Sequence, residues 1–120
     1  MSKLFQSFQH MLRKRELLSV LEGLLNAGGI VAIVDTNQNT LDDSARKQPI
    51  FERENISYSR CEQDVDAQYA ALHTAIDGLA ASPQKKFLFF NGDAIDIHDE
   101  QQISFEKRLQ ELEIGLWRFI

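Results

Sequence analysis

Apolar residues along the chain fall into a few runs whose spacing predicts distinct elements. Leu4, Phe8, Met11, Leu12, Leu18, Leu21 and Leu25 recur at helical spacing, so residues 3–26 read as one long amphipathic helix closed by Gly28-Gly29. Such a helix would be about 36 Å long at 1.5 Å per residue, so its first half, residues 1–15, could project from the body. Ile30–Val34 is a short β-branched run and reads as a strand buried on both faces. Residues 36–55 show no strong period and read as a long loop, with a helical turn over 41–47 and Pro49-Ile50-Phe51 as an anchor.

Ile56–Cys61 alternates weakly and reads as a strand. Asp64 then caps a helix whose Val65, Tyr69, Leu72, Ile76 and Leu79 form the cleanest stripe in the chain. Phe87–Phe90 is the most apolar run. Asp99, with Gln102 at the capping-box position, opens a last helix carrying Ile103, Phe105, Leu109 and Leu112 and stopped by Gly115. Leu116–Ile120 reads as a final paired strand. These elements predict a single domain over residues 1–120, α/β or α+β in class. Its mixed sheet of four to five strands would pack with three helices in two or three layers.

The stretch Phe87–Asp99 holds most of the candidate chemistry. Asn91-Gly92 between apolar residues is a strong hairpin signal, because both positions of a type I′ turn need positive φ. In that hairpin Asp96 and His98 share one face and Asp93 points elsewhere. In the competing arrangement Phe87–Phe90 is a parallel strand and residues 93–98 form a loop. Asp93 then lies beyond a strand's carboxyl end, as Asp35 does after Ile30–Val34, where open α/β sheets place their ligands. There Asp35 and Asp93, helped by Asp96, could hold Mg²⁺, which takes a few carboxylates and keeps several waters.

Gly92-Asp-Ala-Ile-Asp96 resembles the GDxxD motif of haloacid-dehalogenase-like phosphatases, and Val34-Asp-Thr-Asn-Gln38 faintly resembles their nucleophile motif. The resemblance implies a Mg²⁺-dependent phosphoryl-transfer or hydrolytic enzyme with Asp35 as nucleophile or ligand and Asp93 as ligand. It stops at Asn37, which stands where the motif has its second aspartate, and the intervening chain is short for the full fold.

Charge separates the chain into two parts. Residues 1–15 carry Lys3, Arg13, Lys14 and Arg15 and no acid, whereas the whole chain has a net charge of −5. The body is therefore acidic, which argues against a surface that tracks nucleic-acid phosphates. The basic amphipathic N-terminus has three competing readings: a core helix, a homodimer contact through Phe5, Phe8, Met11 and Leu12, or membrane-surface binding or organelle targeting by residues 1–15. A single cysteine, Cys61, excludes an internal disulfide and a Cys-based zinc site. No apolar run spans a bilayer and no signal-peptide core is visible, so the expected location is the cytoplasm. No P-loop, dinucleotide fingerprint, GxSxG elbow or HExxH is present. The leading expectation is a small non-catalytic adaptor, regulator or inhibitor, a homodimer without cofactor; the competing one is the Mg²⁺ enzyme.

Overall fold

A computed structural model describes residues 11–36, 41 and 46–120. Five strands alternate with three helices: β1 (Met11–Leu12), α1 (Lys14–Asn26), β2 (Ile30–Thr36), β3 (Ile56–Cys61), α2 (Val65–Ala80), β4 (Lys86–Phe90), α3 (Glu100–Glu111) and β5 (Ile114–Phe119). The sheet order is β1-β5-β4-β2-β3, and every pairing is parallel rather than mixed. Parallel neighbours need a crossover, and crossovers place cover on both faces. The result is a three-layer sandwich.

Alternation along the strands decides which core each side chain enters. Val31, Ile33, Phe89 and Phe119 turn toward Leu17, Leu21 and Leu25 of α1. Ala32, Val34, Leu88, Phe90 and Leu116 turn toward α2 and α3, meeting Leu72, Ile76, Phe105 and Leu109. Each fully buried Leu or Phe is worth about 1.5–3 kcal/mol, so both layers contribute. The steps β1→β2 and β2→β3 move toward one sheet edge across the α1 face. The steps β3→β4 and β4→β5 return across the other face. One crossover hand satisfies all four.

Three further expectations are corrected. Of the helix expected over 3–26, residues 3–10 lie outside the described residues; the described helix begins at Lys14, because Met11 and Leu12 join the sheet beside Arg118 and Phe119 of β5. Leucine spacing alone does not register that competing partner. Asn91-Gly92 is not a hairpin turn: β4 is claimed on both sides by β2 and β5, so residues 91–99 form a loop with a 3₁₀ turn at Ala94–Asp96. The last helix stops before Gly115, which lies within β5; the reversal falls on Glu113, at φ 55°. The Asp64 and Asp99 caps are present, each carboxylate accepting the backbone N–H three residues on at 3.0 Å.

Candidate functional site

The sheet order reverses direction between β2 and β4. After β2 the next described residue, Leu41, is buried among the α1 leucines, and after β4 the chain runs on to α3. Open α/β sheets open a crevice at this point, outside the carboxyl ends of the two strands. Asp35 and Thr36 stand on one side and Asn91 to Asp93 on the other. Asp35 is completely buried (0 % exposed) on the α1 face.

Each Asp35 oxygen receives two donors. Oδ1 accepts from the Thr36 N–H at 3.0 Å and from the Asn91 side-chain amide. Oδ2 accepts from the Leu41 N–H at 2.9 Å and from the Tyr58 hydroxyl. Asn91 Oδ1 in turn accepts from the Thr36 N–H at 2.9 Å. A carboxylate has about four acceptor sites, so Asp35 is saturated by its own fold. Burial and the Asp35 hydrogen bond push the Tyr58 hydroxyl up to about 12, against the opposing pull of Arg60. Tyr58 therefore stays a donor at neutral pH. One carboxylate ties β2, β3, the end of β4 and Leu41 together.

The loop after β4 is clasped by groups from three other elements. Gln68 of α2, buried, receives the Ala94 N–H at 2.9 Å and donates to Gln63 O at 2.6 Å and Asp93 Oδ1 at 3.2 Å. Gln102 of α3, also buried, donates to Ile95 O at 2.7 Å. Its Oε1 lies 2.6 Å from His98 Nδ1, which makes that ring nitrogen the protonated one. The Tyr69 hydroxyl donates to Ala94 O at 3.2 Å. Arg118 of β5 reaches Asp96 at 2.7 Å and Gly92 O at 2.8 Å. Inside this clasp Ala94 and Ile95 are buried.

The candidate acids are therefore near the carboxyl ends of β2 and β4 but separately engaged. Asp35 is enclosed, while Asp93 and Asp96 are exposed, held by Gln68 and Arg118 respectively. Asp99 caps α3. Among the described residues no group of three His, Cys, Asp or Glu could hold a metal ion. No protein-family model matches this chain, and no curated protein or solved structure matches it.

Of the expected contact residues, Phe5 and Phe8 lie outside the described residues. Leu12 is buried in the α1-side core and Met11 is 39 % exposed. Burial, then the nearby Asp35, Asp64 and Glu62, pushes the Cys61 thiol up, away from thiolate chemistry. Sequence reasoning missed Tyr58, Asn91, Gln68, Gln102 and Arg118. The glutamines did leave a trace: Gln68 extends the Leu72, Ile76 and Leu79 stripe backwards, and Gln102 precedes Phe105 and Leu109 at the same spacing.

A second polar cluster joins α2 to α3. Arg108 donates to His73 Nδ1 at 3.0 Å and pairs with Asp77 at 2.6 Å, and the His73 ring meets Phe105 edge-on. Burial, then the Arg108 charge, lowers the His73 pKa below 6.5, although Asp77 pulls the other way. The folded state thus binds this proton less readily than the unfolded chain. The contribution is complete above pH 6.5 and is lost as pH falls through the depressed folded value. Urea midpoints should accordingly fall between pH 7.5 and 5.5. His73→Asn, which keeps an acceptor for Arg108 and cannot titrate, should fall less. An identical slope in the variant would remove His73 from the account.

Proposed function

We propose that this domain is a non-catalytic protein–protein interaction module rather than a metal-dependent enzyme. The observation that carries the reading is the corner formed by β1, β5 and the loop after β4. Met11 pairs with Arg118 and shares its face of the sheet. Arg118 holds Asp96, and the next residue, Ile97, is 54 % exposed. Ile120, two residues past Arg118, is 52 % exposed. Three of the four exposed large apolar side chains among the described residues thus come to one corner, around one ion pair. A gathered apolar patch with a polar centre is the usual surface character of a docking site.

The engagement of the acids supports the non-catalytic half of the reading. Asp35 would have to shed four donors before it could attack a phosphoryl group or take a metal ion. The chain's acidity outside residues 1–15 favours a basic partner. A photo-crosslinker at position 97 tests the proposal in cells. It should yield one discrete adduct with another protein, and Met11→Asp should reduce that adduct about tenfold, as loss of a contact worth over 1 kcal/mol would. A diffuse background insensitive to Met11→Asp would end the reading.

A further inference from the structure

We infer that β3 is a dimerisation edge, taken by β3 of a second copy of this chain running antiparallel to it. In a parallel ladder, alternate residues turn both backbone groups toward the same neighbour. The Val31 N–H donates to Asn55 O at 2.9 Å, so Asn55, Ser57, Ser59 and Cys61 face β2. Ile56, Tyr58 and Arg60 then direct three N–H and three C=O groups away from the sheet. Among the described residues no strand lies beyond them.

Natural edges are commonly blunted by proline, a bulge, short length or several charges. This one has six residues, an uninterrupted register against β2 and a single charge, Arg60. The Tyr58 hydroxyl donates to Asp35, which ties the edge strand to β2.

The pattern selects the occupant. An antiparallel copy related by a two-fold axis at Tyr58 sets Ile56 against Arg60 of the second copy, Tyr58 against its own mate, and Arg60 against Ile56 of the second copy. Residues opposed in this way exchange both backbone bonds, so all six outward groups are satisfied and none is left over. Shifting the axis by one residue along either strand leaves outward groups unmatched. The only charge on the strand meets an apolar residue instead of its own copy. On the other face Ser57 lies opposite Ser59 of the second copy, and both are exposed and small. The closed pair extends the five-stranded sheet to twice its width, an isologous arrangement that cannot propagate into fibres.

This edge is the opposite one from β1, so the dimer and the Met11 corner stand or fall separately. Light scattering at high-micromolar concentration should give twice the 13.8 kDa chain mass. The double substitution Ser57→Lys with Ser59→Lys sets like charges opposite each other across the axis. It should weaken the dimer by about tenfold or more while the far-ultraviolet circular dichroism is retained. Ser57→Glu with Ser59→Glu should do the same, and mixing the two variants should restore a dimer containing one of each. Arg60→Pro removes an outward N–H that β2 does not use and should also give monomer. A monomeric wild-type chain, a lysine variant that remains dimeric, or a mixture that forms no heterodimer would each overturn the inference. Met11→Asp should leave the dimer intact.

Discussion

Replacing Asp35 by asparagine should cost about 3 kcal/mol of folding stability, the sum of weakened carboxylate hydrogen bonds and a stranded donor. The amide offers one acceptor oxygen to a site that supplies four donors. With its oxygen toward Thr36 and Asn91, its NH₂ confronts the Leu41 N–H and the Tyr58 hydroxyl. With the reverse orientation it confronts Thr36 and Asn91. Tyr58 can rotate its hydroxyl, but a backbone N–H cannot turn away, so the Leu41 orientation leaves a buried donor without an acceptor. Tyr58→Phe removes a single bond and should cost about 1–2 kcal/mol. Urea unfolding at neutral pH measures both. An Asp35→Asn loss below about 1 kcal/mol, less than a typical buried hydrogen bond is worth to remove, would mean that this carboxylate is not a tie between strands.

Gly92→Ala should be similarly severe, about 3 kcal/mol, at the upper end of overpacking costs. A Cβ there would sit 2.3 Å from Gln68 Oε1 and 2.3 Å from the tip of the Phe90 ring. Neither neighbour can give way cheaply. The Gln68 oxygen is committed to the Ala94 N–H, and Phe90 is fully buried between β4 and the α2–α3 layer. Gly78 provides the contrast, because an added Cβ on that exposed turn of α2 meets nothing within 4 Å. Gly78→Ala should stabilise by about 0.5–1 kcal/mol through helix propensity alone. Thermal or urea unfolding of the two variants should therefore move in opposite directions. If Gly92→Ala matched the wild type, the clasp around residues 91–94 would be loose.

The elements that could be read from sequence are those whose signal is local. Ile30–Val34, Ile56–Cys61 and the stripe from Val65 to Leu79 announce themselves by composition or period, and Asp64 and Asp99 by position ahead of a helix. Asn91-Gly92 misled because a turn signal assumes that its two flanks pair with each other. Here the first flank is claimed by β2 and β5, and Gly92 is needed for close approach to Phe90 and Gln68 rather than for positive φ. Met11-Leu12 misled for a related reason: its leucine spacing continues a helix, but its strand partner lies at the far end of the sequence. The Asp35 site was half legible. An acid at the end of a buried strand was visible, but Tyr58 of β3 and Asn91 after β4 reach it, and no spacing rule encodes that meeting. Saturation of the carboxylate depends on those two residues, and it separates a structural tie from a reactive group.

The pairing of β1 with β5 has a consequence for the order in which the molecule can be completed. Leu12 and Phe119 lie side by side in register, and the Lys14 N–H reaches Ile120 O at 2.8 Å. During synthesis, residues 11–14 leave the ribosome long before their partner exists, so the β1 edge stays open until the last strand arrives. The loop they close spans nearly the whole described chain, the largest sequence separation of the four strand pairings and so the one with the greatest closure entropy. For that interval Leu12 lacks the Phe119 neighbour beside which it is buried, and β5 acts as the latch that ends it.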